Sequence, residues 1–155
     1  MYKRILVPID GSPTSELGLA EAIKLAKDPR TALCLLHVVD ERVLAQNIDV
    51  GASQVDSLLA SLRDGGRQIL GKAQANLQKQ HVKAKSVLVE NIARSVADII
   101  VEQAKKWRAD LIVIGTHGRR GVSRLVMGSD AEGVVRTTPV PVLLVRAGTR
   151  GRRGA

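Results

Sequence analysis

The chain has 155 residues, 45% of them hydrophobic, which is enough for one sizeable core and argues against a second domain. No apolar run reaches the ~18 residues of a membrane helix, and Met1 to Gly11 lacks the long apolar stretch of a signal peptide, so the expectation is a cytoplasmic protein with no membrane partner. A formal net charge of +9 suits an anionic ligand, yet with no Phe, one Tyr and one Trp the chain lacks the stacking platforms of single-stranded nucleic-acid binders, and nucleic acid is disfavoured.

Short apolar runs rich in β-branched residues alternate along the chain with longer stretches of helical period. The first predicted strand runs from Arg4 to Ile9. Ser12 and Pro13 then make an N-cap and first-turn pair, and Leu19, Ala22, Ile23 and Ala26 recur on one face of a first helix. A second strand, Ala32 to Val39, carries the lone cysteine, Cys34, which reads as a buried core thiol. Glu41 to Gln54 has no clean period and is expected to be a mobile excursion or a lid. From Val55 to Gln80 the apolar positions fit a helix that Gly65 and Gly66 are expected to bend. The third strand is Lys85 to Val89, and Ser95 caps a helix that ends near Trp107, which reads as a core anchor. Leu111 to Ile114 is the fourth strand. Ser129, Asp130, Ala131 and Glu132 spell a capping box for a short last helix, which stops before the strand Val140 to Val145.

Five strands separated by helices and joined by right-handed crossovers imply an open, doubly wound α/β sheet covered on both faces. In such sheets the site lies at the strand carboxyl ends, beside the topological switch point. A single domain over residues 1–146 is expected, followed by a basic, flexible tail at 147–155 that contains Arg150, Arg152 and Arg153.

Two glycine-rich stretches compete as phosphate sites. Gly66, Gly71, Lys72 and Ala73 mimic a P-loop, but Ala replaces the magnesium-binding Ser or Thr and the stretch lies within a helical period, so it is rejected. Gly115, Thr116, His117 and Gly118, followed after nine residues by Gly128 and Ser129, come directly after a strand. Glycine lets a backbone approach phosphate closely, and exposed amides at a helix start donate to anionic oxygens. The alternative is that these are ordinary turn glycines and a capping serine, and spacing alone leaves both open.

On these residues the chain resembles the universal stress proteins, whose nucleotide-binding branch carries Gly-x-x-Gly, nine residues, then Gly with Ser or Thr. The likeness extends to Val7, Pro8, Ile9, Asp10, Gly11 and Ser12, to the run His37, Val38, Val39 and Asp40, and to Pro139 through Val145. The resemblance implies a Rossmann-like sheet of order 3-2-1-4-5 and a homodimer. It also implies ATP or another adenine nucleotide, AMP or ADP, between strands one and four, with Mg as an optional companion. Carried over by position, it puts Asp10 on the ribose hydroxyls, Val38 against adenine through its main chain, and Gly115, Gly118, Gly128 and Ser129 on the phosphates. Pro8, Ile9, Ile114, Arg119, Asp130 and Ala131 complete the candidate set. Arg119, Arg120 and Arg124 are open to two readings, a phosphate clamp or a solvated face. Asp130 and Ala131 depart from the family's small or apolar residue followed by a hydroxyl, which places an acid beside the expected phosphates. Asn91 stands where a glycine often follows strand three.

No Ser, His and acid combination has a hydrolase spacing, and the three histidines are too scattered for a metal site, so no catalytic residue and no metal ligand is assigned. The expected role is an adenine-nucleotide-binding stress-response sensor or regulator acting as a homodimer through the apolar edge Val140 to Val145. The alternatives are a slow ATPase or self-phosphorylating enzyme of the same fold, and a basic module for RNA or anionic partners.

Overall fold

Ile5, Val7 and Ile9 belong to one buried layer and Leu6 to another, the two-residue alternation of a strand covered on both sides. The structure is a computed structural model and describes residues 1–45, 51–91, 93–117 and 127–147. Its elements are β1 (Arg4–Pro8), α1 (Pro13–Leu25), β2 (Ala32–Asp40), α2 (Arg42–Ala45), α3 (Ala52–Lys79), β3 (Lys83–Asn91), α4 (Val96–Trp107), β4 (Leu111–Gly115), α5 (Ser129–Thr137) and β5 (Val142–Val145). The strands form one parallel sheet in the order β3-β2-β1-β4-β5, as the resemblance implied. Among the described residues no helix is long and apolar enough to cross a membrane.

One layer joins Ile5, Val7, Leu33, Leu35 and Val113 to Leu19 of α1 and to Leu70 and Leu77 of α3. The other joins Leu6, Cys34, Leu36 and Ile112 to Ile100 of α4 and to Ala131 and Val134 of α5. Each fully buried Leu or Ile stabilises the fold by about 1.5–3 kcal/mol. Cys34 is buried as expected, and burial pushes its thiol pKa up. Trp107 packs at the edge of the second layer, with Arg4 Cζ 5.8 Å and Lys85 Nζ 5.4 Å from its ring centroid.

Three local expectations are corrected, and a fourth, for Glu41 to Gln54, gains local structure without being tested. The helix α3 runs without interruption through Gly65 and Gly66. Gly66 is where the helix presses on the sheet, since a β-carbon there would meet His37 Cδ2 at 2.6 Å. The strand β3 is longer than expected because its ladder with β2 continues from Ala32↔Lys83 to Asp40↔Asn91. Within the stretch expected to be a lid, α2 occupies Arg42–Ala45 and α3 begins at Ala52, while residues 46–50 lie outside the described ones. Ser129 is the first helical residue of α5 and does not cap it: Glu132 N–H closes the first turn onto Gly128 O at 3.0 Å, which makes Gly128 the cap residue, with no side chain to contribute.

Candidate functional site

The order β3-β2-β1-β4-β5 reverses direction between β1 and β4, and a cleft of about 620 Å³ opens at the carboxyl ends of these strands. Pro8, Ile9 and Asp10 line it from β1 and the turn after it, Val38 from β2, and Ile114 and Gly115 from β4. Gly128, Ser129, Asp130 and Ala131 line it from the start of α5. The structure thus brings ten of the twelve expected residues to one cleft. The other two, Gly118 and Arg119, lie outside the described residues, as do Arg120, Arg124 and the tail from 148 onward.

The turn after β1 is fixed by its own polar groups. Asp10 Oδ1 accepts Ser12 N–H at 2.9 Å, Ser12 Oγ accepts Ser15 N–H at 3.2 Å as the N-cap of α1, and Ser15 Oγ donates to Ser12 O at 2.9 Å. Gly11 sits at φ +81°, a left-handed conformation that glycine adopts without strain. Thr14 Oγ1 donates to the carbonyl of His117, and Ser12 Oγ reaches the same oxygen at 3.4 Å, so the start of α1 ties down the residues leaving β4.

His37 forms part of the cleft floor and is buried, 4% exposed, with Nδ1 donating to Ile9 O at 2.8 Å. Because the carbonyl can only accept, Nδ1 carries the proton. Leu36, Val39, Leu62, Val96, Ile100 and Met127 supply apolar wall.

At the other end the groups suit an anion. Thr116 N–H donates to Val145 O at 2.8 Å, and Thr116 O accepts Gly128 N–H at 2.7 Å. The amide of Gly128 is therefore already used within the protein. The amides of Ser129, Asp130 and Ala131 precede the first intrahelical bond and have no partner within the helix, which makes the start of α5 an electropositive surface. Gly128 itself has φ −63°, which any residue can adopt. Gly115 is required for close approach to α1, since a β-carbon there would lie 2.7 Å from the Thr14 carbonyl carbon.

Sequence reasoning missed a charged pair in the cleft. Arg42 meets Asp40 in a bidentate contact, Nε to Oδ1 and Nη2 to Oδ2, both at 2.7 Å. These bonds, opposed by burial and aided by the charges of Asp40 and Asp130, raise the guanidinium pKa above its already high value. The two-residue spacing of Asp40 and Arg42 was visible in the sequence, but nothing there showed that both line the same cleft as Asp130. His117 also lines the cleft, its Nδ1 3.0 Å from Thr116 Oγ1 and its Nε2 buried without a hydrogen-bond partner.

Asn91 lies outside the cleft. It is the buried last residue of β3 and hydrogen-bonds Arg94 twice, Oδ1 accepting Arg94 N–H at 3.0 Å and Nδ2 donating to Arg94 O at 2.5 Å. Among the described residues no group of three or more His, Cys, Asp or Glu is arranged to hold a metal ion.

A family model described as "Universal stress protein family" matches residues 1–146. A universal stress protein of Methanocaldococcus jannaschii is 34% identical over 146 residues, spanning 94% of this chain and 83% of the relative. A solved structure of a second protein of that organism, MJ0577, is 28% identical with a TM-score of 0.85, covering 96% of this chain and 99% of its own. The fold is also shared, at 16% identity and a TM-score of 0.66, with an Arabidopsis thaliana universal stress protein family structure that has AMP bound, covering 95% of this chain and 93% of its own.

Proposed function

This chain belongs to the universal stress protein family, and from that premise we propose that it binds an adenine nucleotide in the cleft between β1 and β4. The observation that carries the reading is the polarity of the cleft along its length. Its apolar walls, Val38 of β2 among them, suit a purine, Asp10 lies in the turn after β1 where a ribose hydroxyl could be met, and the amides at the start of α5 suit phosphate. The volume of about 620 Å³ lies within the usual range for small-ligand sites. An AMP-bound protein of the same fold supports the same class of ligand.

In this reading Val38 meets adenine through its backbone, Asp10 accepts from the ribose hydroxyls, and Ser129 adds its hydroxyl to the phosphate donors. Pro8, Ile9, Ile114 and Ala131 shape the walls, while Gly118 and Arg119, outside the described residues, are assigned to the phosphates by the family resemblance alone. The role proposed is that of a sensor or regulator. The proposed assembly is a homodimer through β5. Leu143 and Leu144 are each 37% exposed on that edge strand, and pairing across a two-fold covers them.

Denaturing the purified protein and weighing any released small molecule tests the reading. An adenine mononucleotide or polyphosphate in the supernatant is expected. A well-folded protein that releases none and binds none on titration overturns it.

A further inference from the structure

Building on the adenine-nucleotide reading of the cleft, we infer that Asp130 is a specificity-determining residue: it competes with the ligand's phosphates for the electropositive corner of the site, so the cleft favours adenine ligands with few phosphates.

That corner has two positive components. One is the first turn of α5, whose leading amides carry the partial positive charge of a helix start. The other is the Arg42 guanidinium, oriented by its bidentate contact with Asp40. Asp130 is the second residue of α5, is exposed, and lines the same cleft as Arg42. After the Asp40 hydrogen bonds and charge, the charge of Asp130 adds a smaller upward push on the Arg42 guanidinium pKa. A carboxylate and a phosphate oxygen are alternative counter-ions for the same guanidinium and the same amides. A carboxylate fixed there repels an incoming anion more strongly with each phosphate the anion carries.

Two other carboxylates, Asp10 and Asp40, line the cleft. Asp10 holds the turn after β1 through Ser12 N–H, and Asp40 orients Arg42. Glu132, the other acid in the first turn of α5, meets Arg136 at 2.7 Å one helical turn along. Among the described residues of α5, Asp130 is the one acid that lines the cleft.

Isothermal titration with adenosine, AMP and ATP, in EDTA to remove divalent cations, tests the inference on the full chain and on Asp130→Asn. Asn keeps the side-chain size and removes the charge, and thermal melting verifies that the variant is folded. The ratio of ATP affinity to adenosine affinity is expected to rise on the order of tenfold in Asp130→Asn, with a smaller rise for AMP. Arg42→Gln is expected to lower that ratio. A ratio that moves by less than about twofold while adenosine still binds overturns the inference and leaves the functional reading standing. If neither protein binds any of the three ligands, the functional reading falls, and the inference with it.

Discussion

Gly115 and Thr14 are in backbone contact: a β-carbon built on Gly115 would lie 2.7 Å from the Thr14 carbonyl carbon and 2.8 Å from its oxygen. The glycine at the end of β4 therefore has a packing task before it has any ligand. It lets the first turn of α1 lie across the strand end, from which Thr14 Oγ1 reaches the carbonyl of His117. Gly115→Ala forces backbone apart, and overpacking of this kind costs about 1–3 kcal/mol. Thermal unfolding of the variant is expected to show a melting temperature lower by several degrees, because in a domain of this size each kcal/mol shifts it by roughly 2–4 °C. An unchanged melting temperature would mean that α1 and β4 are not pressed together as described.

Adjacent glycines in α3 are expected to respond in opposite directions. A β-carbon on Gly65 meets nothing within 4 Å, so Gly65→Ala gains helix propensity and stabilises by about 0.5–1 kcal/mol. A β-carbon on Gly66 meets His37 Cδ2 at 2.6 Å and Leu88 Cδ1 at 3.0 Å, and the buried imidazole is held by Ile9 O. Gly66→Ala therefore destabilises by about 1–3 kcal/mol despite the same gain in propensity. Urea unfolding of both variants checks the pair. Two stabilising substitutions would contradict the packing of α3 on β2.

The acid response has a defined local source. Lys106 Nζ lies 2.6 Å from Glu102 Oε1, and Arg94 Nη1 donates to Glu102 Oε2. Hydrogen bonds from Lys106 and then Arg94 lower the Glu102 pKa from its ordinary 4.5 to about 2. A depressed carboxylate pKa contributes stability that is fully present above the unfolded value of 4.5 and is lost as pH falls through about 2. Carboxyl-carbon NMR titration of Glu102 is expected to give a midpoint near 2, moving toward 4.5 in the Lys106→Gln, Arg94→Gln double variant. A midpoint of 4.5 in the unaltered protein would remove this ion pair from the account.

Asp10 holds its turn and, in the proposed reading, also meets the ribose, and two substitutions separate these tasks. Asp10→Asn retains an acceptor for Ser12 N–H, whereas Asp10→Ala removes it. Both remove the charge that the proposed reading sets against the ribose hydroxyls, a charge-assisted bond worth about 1.5–3 kcal/mol, so nucleotide affinity is expected to fall roughly ten- to hundredfold in each. Only Asp10→Ala is expected also to lower the melting temperature. Equal affinity in the unaltered protein and Asp10→Asn would place the ribose elsewhere.

The proposed dimer is tested at the exposed edge of the sheet. Leu144→Asp puts a charge on a β5 residue that is 37% exposed, and light scattering is expected to change from dimer to monomer. A monomer in the unaltered protein at micromolar concentration would end that part of the proposal.

The sheet was legible because both of its faces are covered: Ile5 through Ile9, Leu33 through Leu36 and Leu111 through Ile114 read as continuous apolar runs. Asp10 and Gly115 could be placed together because one follows β1 and the other ends β4 at the switch point, where topology decides proximity. What escaped the sequence depends on distances that no local pattern encodes. The role of Gly66 depends on His37 in another element, and the influence of Asp130 on Arg42 spans the cleft. Ser129 looked like a cap because Glu132 stands three residues later, but the hydrogen bond from Glu132 to Gly128 starts the helix one residue sooner. The extent of β3 was understated because an edge strand buries less, and its alternation fades in Lys83, Lys85 and Glu90.

The central claim, that one cleft between β1 and β4 holds an adenine nucleotide, is tested most directly by amide NMR of the labelled protein titrated with AMP. Saturable shifts are expected at Asp10, Val38, Gly115, Ser129, Asp130 and Ala131, with the N-terminal ends of the strands, Arg4, Ala32 and Leu111, undisturbed. Shifts confined to another surface, or none at millimolar AMP, would contradict it.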